Sequence, residues 1–135
     1  MVDEDPTLKA SRREAPPTEK SGSVAPPVIA IRMEGLTAWV LERAAKFPRD
    51  HKFTIGDRLV ETCLDITCEL VEASYKRDRA AVLASASRGL VRARVLFRLA
   101  RNLRLVSESQ HLHFAKESGE VGRMLGGWIK SARSG

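Results

Sequence analysis

The sequence predicts an all-α fold, an up-down bundle of four amphipathic helices that goes on to self-associate. Three observations carry this. Aromatic residues make up only 5% of the chain while Ala, Leu, Val and Arg are plentiful, a composition that favours helices over sheets. Apolar residues recur at spacings of three and four in four successive windows, with no strand-like alternation and no array-length repeat. The last window, "GEVGRMLGGWIK", holds four glycines, each costing about 1 kcal/mol relative to alanine in a helix interior. Gly119, Gly122 and Gly126 fall within about 60° on one side of that helix, beside its apolar arc rather than in it.

The totals narrow the field. At 135 residues the chain suits one domain. Its net charge of +6 and pI near 9.8 point to an anionic partner. The apolar runs fall short of the roughly 18 residues of a membrane span, and the opening residues do not read as a leader, so the expected location is cytoplasmic. Cys63 and Cys68, about 140° apart on a helix, cannot bridge within it and read as small buried apolar groups in a reducing compartment.

Residues 1–28 carry five of the six prolines and almost no large apolar side chains. Such a stretch cannot bury enough surface to offset its ordering entropy, so it reads as a flexible tail ahead of a 29–135 bundle domain. The tail holds five acids and four bases, and the folded part 19 bases against 12 acids. The positive charge therefore belongs to the bundle.

The first helix, "MEGLTAWVLERAAKF", places Leu36, Val40 and Phe47 on one face beside Trp39 and ends at Pro48. Thr54 is the expected N-cap of a second helix, about 54–76, with Asp57 three residues on. Its apolar arc runs through Leu59, Val60, Cys63, Leu64, Ile66, Thr67, Leu70 and Val71. Opposite lies an acidic stripe of Asp57, Glu61, Asp65, Glu69 and Glu72, whose like charges repel by a few tenths of a kcal/mol per pair. The stripe is either a solvated face or one that arginines from another helix or subunit neutralise.

The third helix, about 79–105, reverses the sign: residues 77–105 hold eight arginines against one acid, Asp78. Val95, Leu96, Leu99 and Leu103 mark its expected core arc, with Arg94, Arg98 and Arg101 clustered on a different face. Arg88 and Arg92 fall near the arc and so call for carboxylate partners. Ser107 caps a fourth helix, about 108–132, whose core arc is Phe114, Val121, Leu125, Trp128 and Ala132. The glycine strip Gly119, Gly122 and Gly126 admits a closely approaching helix, either within the bundle or from another subunit. The apolar arc already serves the bundle, so the strip reads as an oligomer interface.

Chemistry-bearing motifs are few. His111 and His113 project to opposite faces and form no two-histidine metal site, and His51 sits alone in a loop. The glycines lie inside a helix, not in a phosphate-cradling loop after a strand. No serine or cysteine has a plausible catalytic base beside it in sequence. The expectation is a protein that is not an enzyme and needs no metal or cofactor.

Two stretches, "KFPRDHKFTIGDRL" (46–59) and "RVLFRLARNLRLVSESQHLHF…EVGRMLGGWIK" (94–130), resemble the accessory variability determinant family, Avd, of bacterial diversity-generating retroelements. The resemblance covers roughly residues 33–130. A phenylalanine-proline loop leading into TxGDR, an arginine-rich third helix and a terminal GRMLGGWIK occur in order. The four-helix proteins encoded in ribosomal RNA intervening sequences share the bundle, but their alanine-glutamate-glycine and glycine-serine signatures are not found here. The resemblance implies a ring-like or barrel-like homopentamer that binds the element's reverse transcriptase and template-repeat RNA in support of mutagenic retrohoming. It implies nucleic-acid contacts at Arg94, Arg98, Arg101 and Arg104, and at Arg123 and Lys130 on the fourth helix. Without it, a stand-alone basic RNA-binding bundle and a purely structural helical oligomer remain open.

Overall fold

The computed structural model describes residues 27–134. They form four long helices, α1 (Val28–Ala44), α2 (Asp57–Ala73), α3 (Ala80–Asn102) and α4 (Glu108–Ser134), with no strand among the described residues. Each helix packs on the next, and α4 returns to α1. The short connections make sequential neighbours run antiparallel, which gives the four-helix bundle that the periodicity predicts.

α1 begins five residues earlier than its pattern suggests. Pro27 stands at its N-cap in extended geometry, and Ile29 and Ala30 are already buried. A proline is tolerated at a helix start because the N–H it lacks has no intrahelical partner there. The expected tail, residues 1–28, lies outside the described residues except for Pro27 and Val28, and Val28 is already helical.

Phe47 is buried as expected, but from the turn beyond α1 rather than from its face. A side chain on Gly56 would start only 3.3 Å from the Phe47 ring and 3.5 Å from the His51 carbonyl. The glycine of the TIGDR stretch thus gives the ring its seat. Thr54 is not an N-cap. It sits inside a π-helical turn, Lys52–Gly56, that follows the short turn Arg49–His51 and runs straight into α2, and its hydroxyl donates to the His51 carbonyl at 3.3 Å. Pro48 both closes the loop and caps the new helical run, so the helix starts some six residues before the threonine.

In α2 the arc is narrower than predicted. Leu59, Cys63, Ile66, Leu70 and Ala73 are buried, Val60, Thr67 and Val71 half-buried, and Leu64 exposed. The Thr37 and Thr67 hydroxyls lie 2.8 Å apart, and each reaches the Cys63 carbonyl. This link ties α1 to α2 inside the bundle, where unpaired hydroxyls are costly.

α3 turns a different face inward from the predicted arc. Its buried residues are Leu83, Ala86, Gly89, Leu90, Ala93, Phe97 and Ala100, whereas Val95, Leu99 and Leu103 are exposed and Leu96 half-buried. The small residues let α3 come close to α2: a Cβ on Gly89 would stand 2.9 Å from Ile66 Cγ1. Close approach of two helices selects the face with small side chains, even when larger apolar residues lie elsewhere on the same helix. Arg88 and Arg92 are consequently solvent-exposed, not core neighbours, and neither forms an ion pair among the described residues.

α3 ends at Asn102, three residues before the predicted end. The Leu105 N–H bonds the Ala100 carbonyl at 2.8 Å and the Arg104 N–H the Arg101 carbonyl at 2.9 Å, the two bonds of a Schellman stop. Arg104 takes the left-handed position at φ 62°. Ser107 then begins α4 as predicted, in a reciprocal box with Gln110 at 2.9 and 3.0 Å. α4 runs unbroken through its glycines, burying Phe114, Ser118, Val121 and Leu125 with Trp128 and Ala132 half-buried.

Candidate nucleic-acid and assembly surface

The inward turn of its small face leaves α3 with an unusual outer surface. Val91, Val95 and Leu99, at i, i+4 and i+8, are 62%, 41% and 43% exposed. By helix geometry, Arg88 and Arg92 lie on one margin of this apolar strip, and Arg94 and Arg98 on the other. Arg88, Arg92 and Arg98 are exposed and make no ion pair among the described residues. The helix carries no acid. Guanidinium groups held without carboxylate partners keep their donors for an anion, and their planar fork matches a phosphate.

Arg94 lies against the fourth helix. Its Nη2 stands 4.0 Å from where a Gly119 Cβ would be, and its Nη1 4.0 Å from that of Gly122. Bare backbone at these two positions gives the guanidinium a bed that side chains would fill. Gly122 also meets Leu90 Cδ2, at 3.4 Å from a would-be Cβ, whereas Gly126 and Gly127 face nothing within 4 Å. The glycines therefore divide: Gly119 and Gly122 border α3 within the bundle, and Gly126 is open. Between the helices runs a groove of about 370 Å³ that includes Ser87, Val91, Arg94, Gly122 and Gly126.

The remaining candidates sit in different surroundings. Arg101 is half-buried, 3.9 Å from Glu108 in the first turn of α4. Arg104 is exposed at the stop of α3. Arg123 is paired on its own helix, its Nε donating to Glu120 Oε1 at 3.2 Å and its Nη2 to Oε2. That bonding holds the Glu120 carboxyl below its ordinary range and pushes Arg123 further up. Most of the Arg123 charge is thus matched locally. Lys130 is exposed on the last turns of α4. The structure brings Arg94, Arg98, Arg101 and Arg104 to one helix and its stop, while Arg123 and Lys130 lie on α4.

The acidic stripe is exposed at Asp57, Glu61, Asp65 and Glu72. Glu72 meets Lys76 at 3.1 Å, and Glu69 accepts the Ser85 hydroxyl at 2.7 Å. Asp57, Glu61 and Asp65 form no ion pair among the described residues. Asp65 and Glu61 share a groove of about 320 Å³ with Arg58, Arg92 and Leu96, which brings Arg92 beside the acids but not into contact.

His113 packs on Trp39 with ring centroids 4.6 Å apart, and His111 on Phe97 at 6.2 Å. Both rings flank an aromatic cluster in which Phe97 also stacks on Phe114 at 4.2 Å. Their place is in packing, and no group of side chains suited to a metal occurs among the described residues. Cys63 is buried, which raises its thiol to about 12. Cys68 is exposed, against the expectation that both cysteines are buried, because its position falls outside the narrow inward arc of α2. No helix is long and apolar enough to cross a membrane among the described residues.

Sequence reasoning missed Val91, Val95 and Leu99 as an exposed strip. Their period of four was visible, but the alanines that claim the core weigh little on a hydrophobic wheel. Neither curated proteins nor solved structures provide a match. The model of the bAvd-like family matches residues 27–132, the whole bundle from the cap of α1 into the last turn of α4. That family comprises accessory, non-catalytic proteins associated with diversity-generating retroelements. The arginine-rich third helix, the Phe47–Gly56 corner and the glycine-bearing last helix all fall inside the match, and the chain belongs to the bAvd-like family.

Proposed function

We propose that this chain is a non-enzymatic subunit that binds a retroelement reverse transcriptase and its template-repeat RNA, working as a homo-oligomer, a pentamer by the resemblance. The observation that carries the reading is the outer face of α3 in a bAvd-like chain. Four arginines, Arg88, Arg92, Arg94 and Arg98, stand there without carboxylate partners among the described residues, and Arg101 and Arg104 extend the charge to the helix end. Phosphate contacts of this kind give affinity and register with little sequence information. The apolar strip Val91, Val95 and Leu99, with the open Gly126, supports contact with a protein surface, since patches of this sort mark interaction sites.

A specific observation favours a second reading for part of this surface. Asp57, Glu61 and Asp65 of α2 also form no ion pair among the described residues, which supports neutralisation of one copy's acids by the arginines of another. Replacing Arg94, Arg98 and Arg101 together by glutamine separates the two. RNA contact predicts an oligomer of wild-type mass and a fall of about 2 in the slope of log affinity against log salt, at roughly 0.7 per neutralised phosphate of single-stranded RNA. Pairing between subunits predicts loss of assembly. A wild-type slope in an intact oligomer removes these residues from the RNA surface.

A further inference from the structure

At the far end of α3, about 33 Å from the Arg101–Arg104 cluster at 1.5 Å per residue, the α2–α3 turn and the end of α4 enclose a second basic cleft. It measures about 280 Å³, and its lining includes Arg77, Asp78, Arg79, Trp128 and Ser131. The volume is near the lower end of the roughly 300–1,000 Å³ of small-ligand sites.

Arg79 is held in place there. Its Nε and Nη2 donate to the Lys76 carbonyl at 3.1 and 2.8 Å, and its guanidinium lies over the Trp128 ring, 5.6 Å from the centroid. Those two bonds leave three of its five N–H donors unused. Arg77 is exposed and makes no ion pair among the described residues, while the neighbouring Lys76 is matched by Glu72 at 3.1 Å. Asp78 is the acid of the cleft, so the two arginines leave a net positive charge. A fixed guanidinium on an indole, with a free guanidinium beside it, meets the two demands of a nucleotide. The stacked pair offers a flat surface for a base, and Arg77 offers a fork for its phosphate.

We propose that this cleft binds one nucleotide unit of single-stranded nucleic acid or a free nucleotide, with Arg77 on the phosphate and the base against the Arg79–Trp128 stack. The proposal rests on the RNA reading above, but its residues lie apart from the Arg94–Arg104 surface, so the two fail separately.

The test uses the full chain with Trp39→Phe, which leaves Trp128 as the only tryptophan, titrated with AMP, uridine, inorganic phosphate and an unphosphorylated tetrauridylate. Calorimetry of the unsubstituted chain with the same probes serves if Trp39→Phe unsettles the aromatic cluster. AMP or the tetranucleotide should change Trp128 emission saturably. Uridine and inorganic phosphate should bind at least tenfold more weakly, and Arg77→Gln should weaken nucleotide binding about tenfold while circular dichroism is unchanged. Preference for AMP indicates a free-nucleotide or 5′-end site, and preference for the tetranucleotide an internal position on a strand. Absence of nucleotide binding by both readouts, or binding that Arg77→Gln leaves intact, overturns the proposal. If long RNA then still binds with its salt slope intact, the RNA reading stands without the cleft.

Discussion

Replacing Arg104 by glycine should make the protein more stable. Arg104 holds the left-handed position of the α3 stop, at φ 62°, where the two Schellman bonds at 2.8 and 2.9 Å fix the backbone. A residue with a Cβ pays about 1–2 kcal/mol in that region. Glycine pays almost none, although its greater freedom in the unfolded chain takes back about 0.4–1 kcal/mol. The net expectation is a gain of about 0.5–1 kcal/mol, or about 2–6 °C in Tm for a domain of this size. Arg104→Ala keeps the backbone strain and should not exceed the wild type. Urea denaturation followed by helical ellipticity measures all three chains. A glycine variant no more stable than the alanine variant would refute the strain argument. If the guanidinium serves the RNA surface, both variants should weaken polyanion binding equally, and the more stable glycine variant would then show what the arginine is retained for.

The same geometry makes three further predictions. Gly89→Ala should destabilise the fold by about 1–3 kcal/mol, because the new methyl would begin 2.9 Å from Ile66 Cγ1; a stability within 0.5 kcal/mol of wild type would mean that α2 and α3 part easily. Gly126→Leu, inside α4 at a position with nothing within 4 Å, should raise the stability of the single bundle by up to about 1 kcal/mol through helix propensity but reduce the assembly mass in light scattering, and an unchanged mass would exclude Gly126 from the interface. With a thiol reagent at neutral pH, Cys68 should react at once and Cys63 only as fast as the bundle opens, given its burial and a thiol pushed up to about 12; simultaneous labelling of both would contradict the packing of α2.

The bundle was legible in the sequence because each helix shows its period and one boundary, the start of α4, carries capping chemistry. Ser107 with Gln110 fixes the start of α4 by side-chain hydrogen bonds that any reader of the sequence can anticipate. The start of α2 was not legible in this way. A π-helical turn there carries no propensity signal of its own, and Thr54 resembles a cap while serving only the His51 carbonyl. The α3 core face was misread for a reason of scale: Ala86, Gly89, Ala93 and Ala100 add little apolar area, yet they decide which side can approach α2. The arginines were legible as a class, but not their partners. Arg123 is bound to Glu120, Arg94 lies over two glycines, and Arg92 is beside acids it does not touch. The first is an i,i+3 spacing on α4 that the sequence does contain; the other two are distances between helices, and a sequence does not contain them.

The central claim is that this chain assists a reverse transcriptase through its basic helical surface. The most direct measurement is the yield of cDNA made on template-repeat RNA by the retroelement's reverse transcriptase, with no added chain, with wild type, and with the Arg94, Arg98 and Arg101 to glutamine variant at matched oligomer mass. The account predicts a marked rise in cDNA with the wild-type chain and little or none with the variant. Equal cDNA with and without the chain, or full support from the variant, would contradict it.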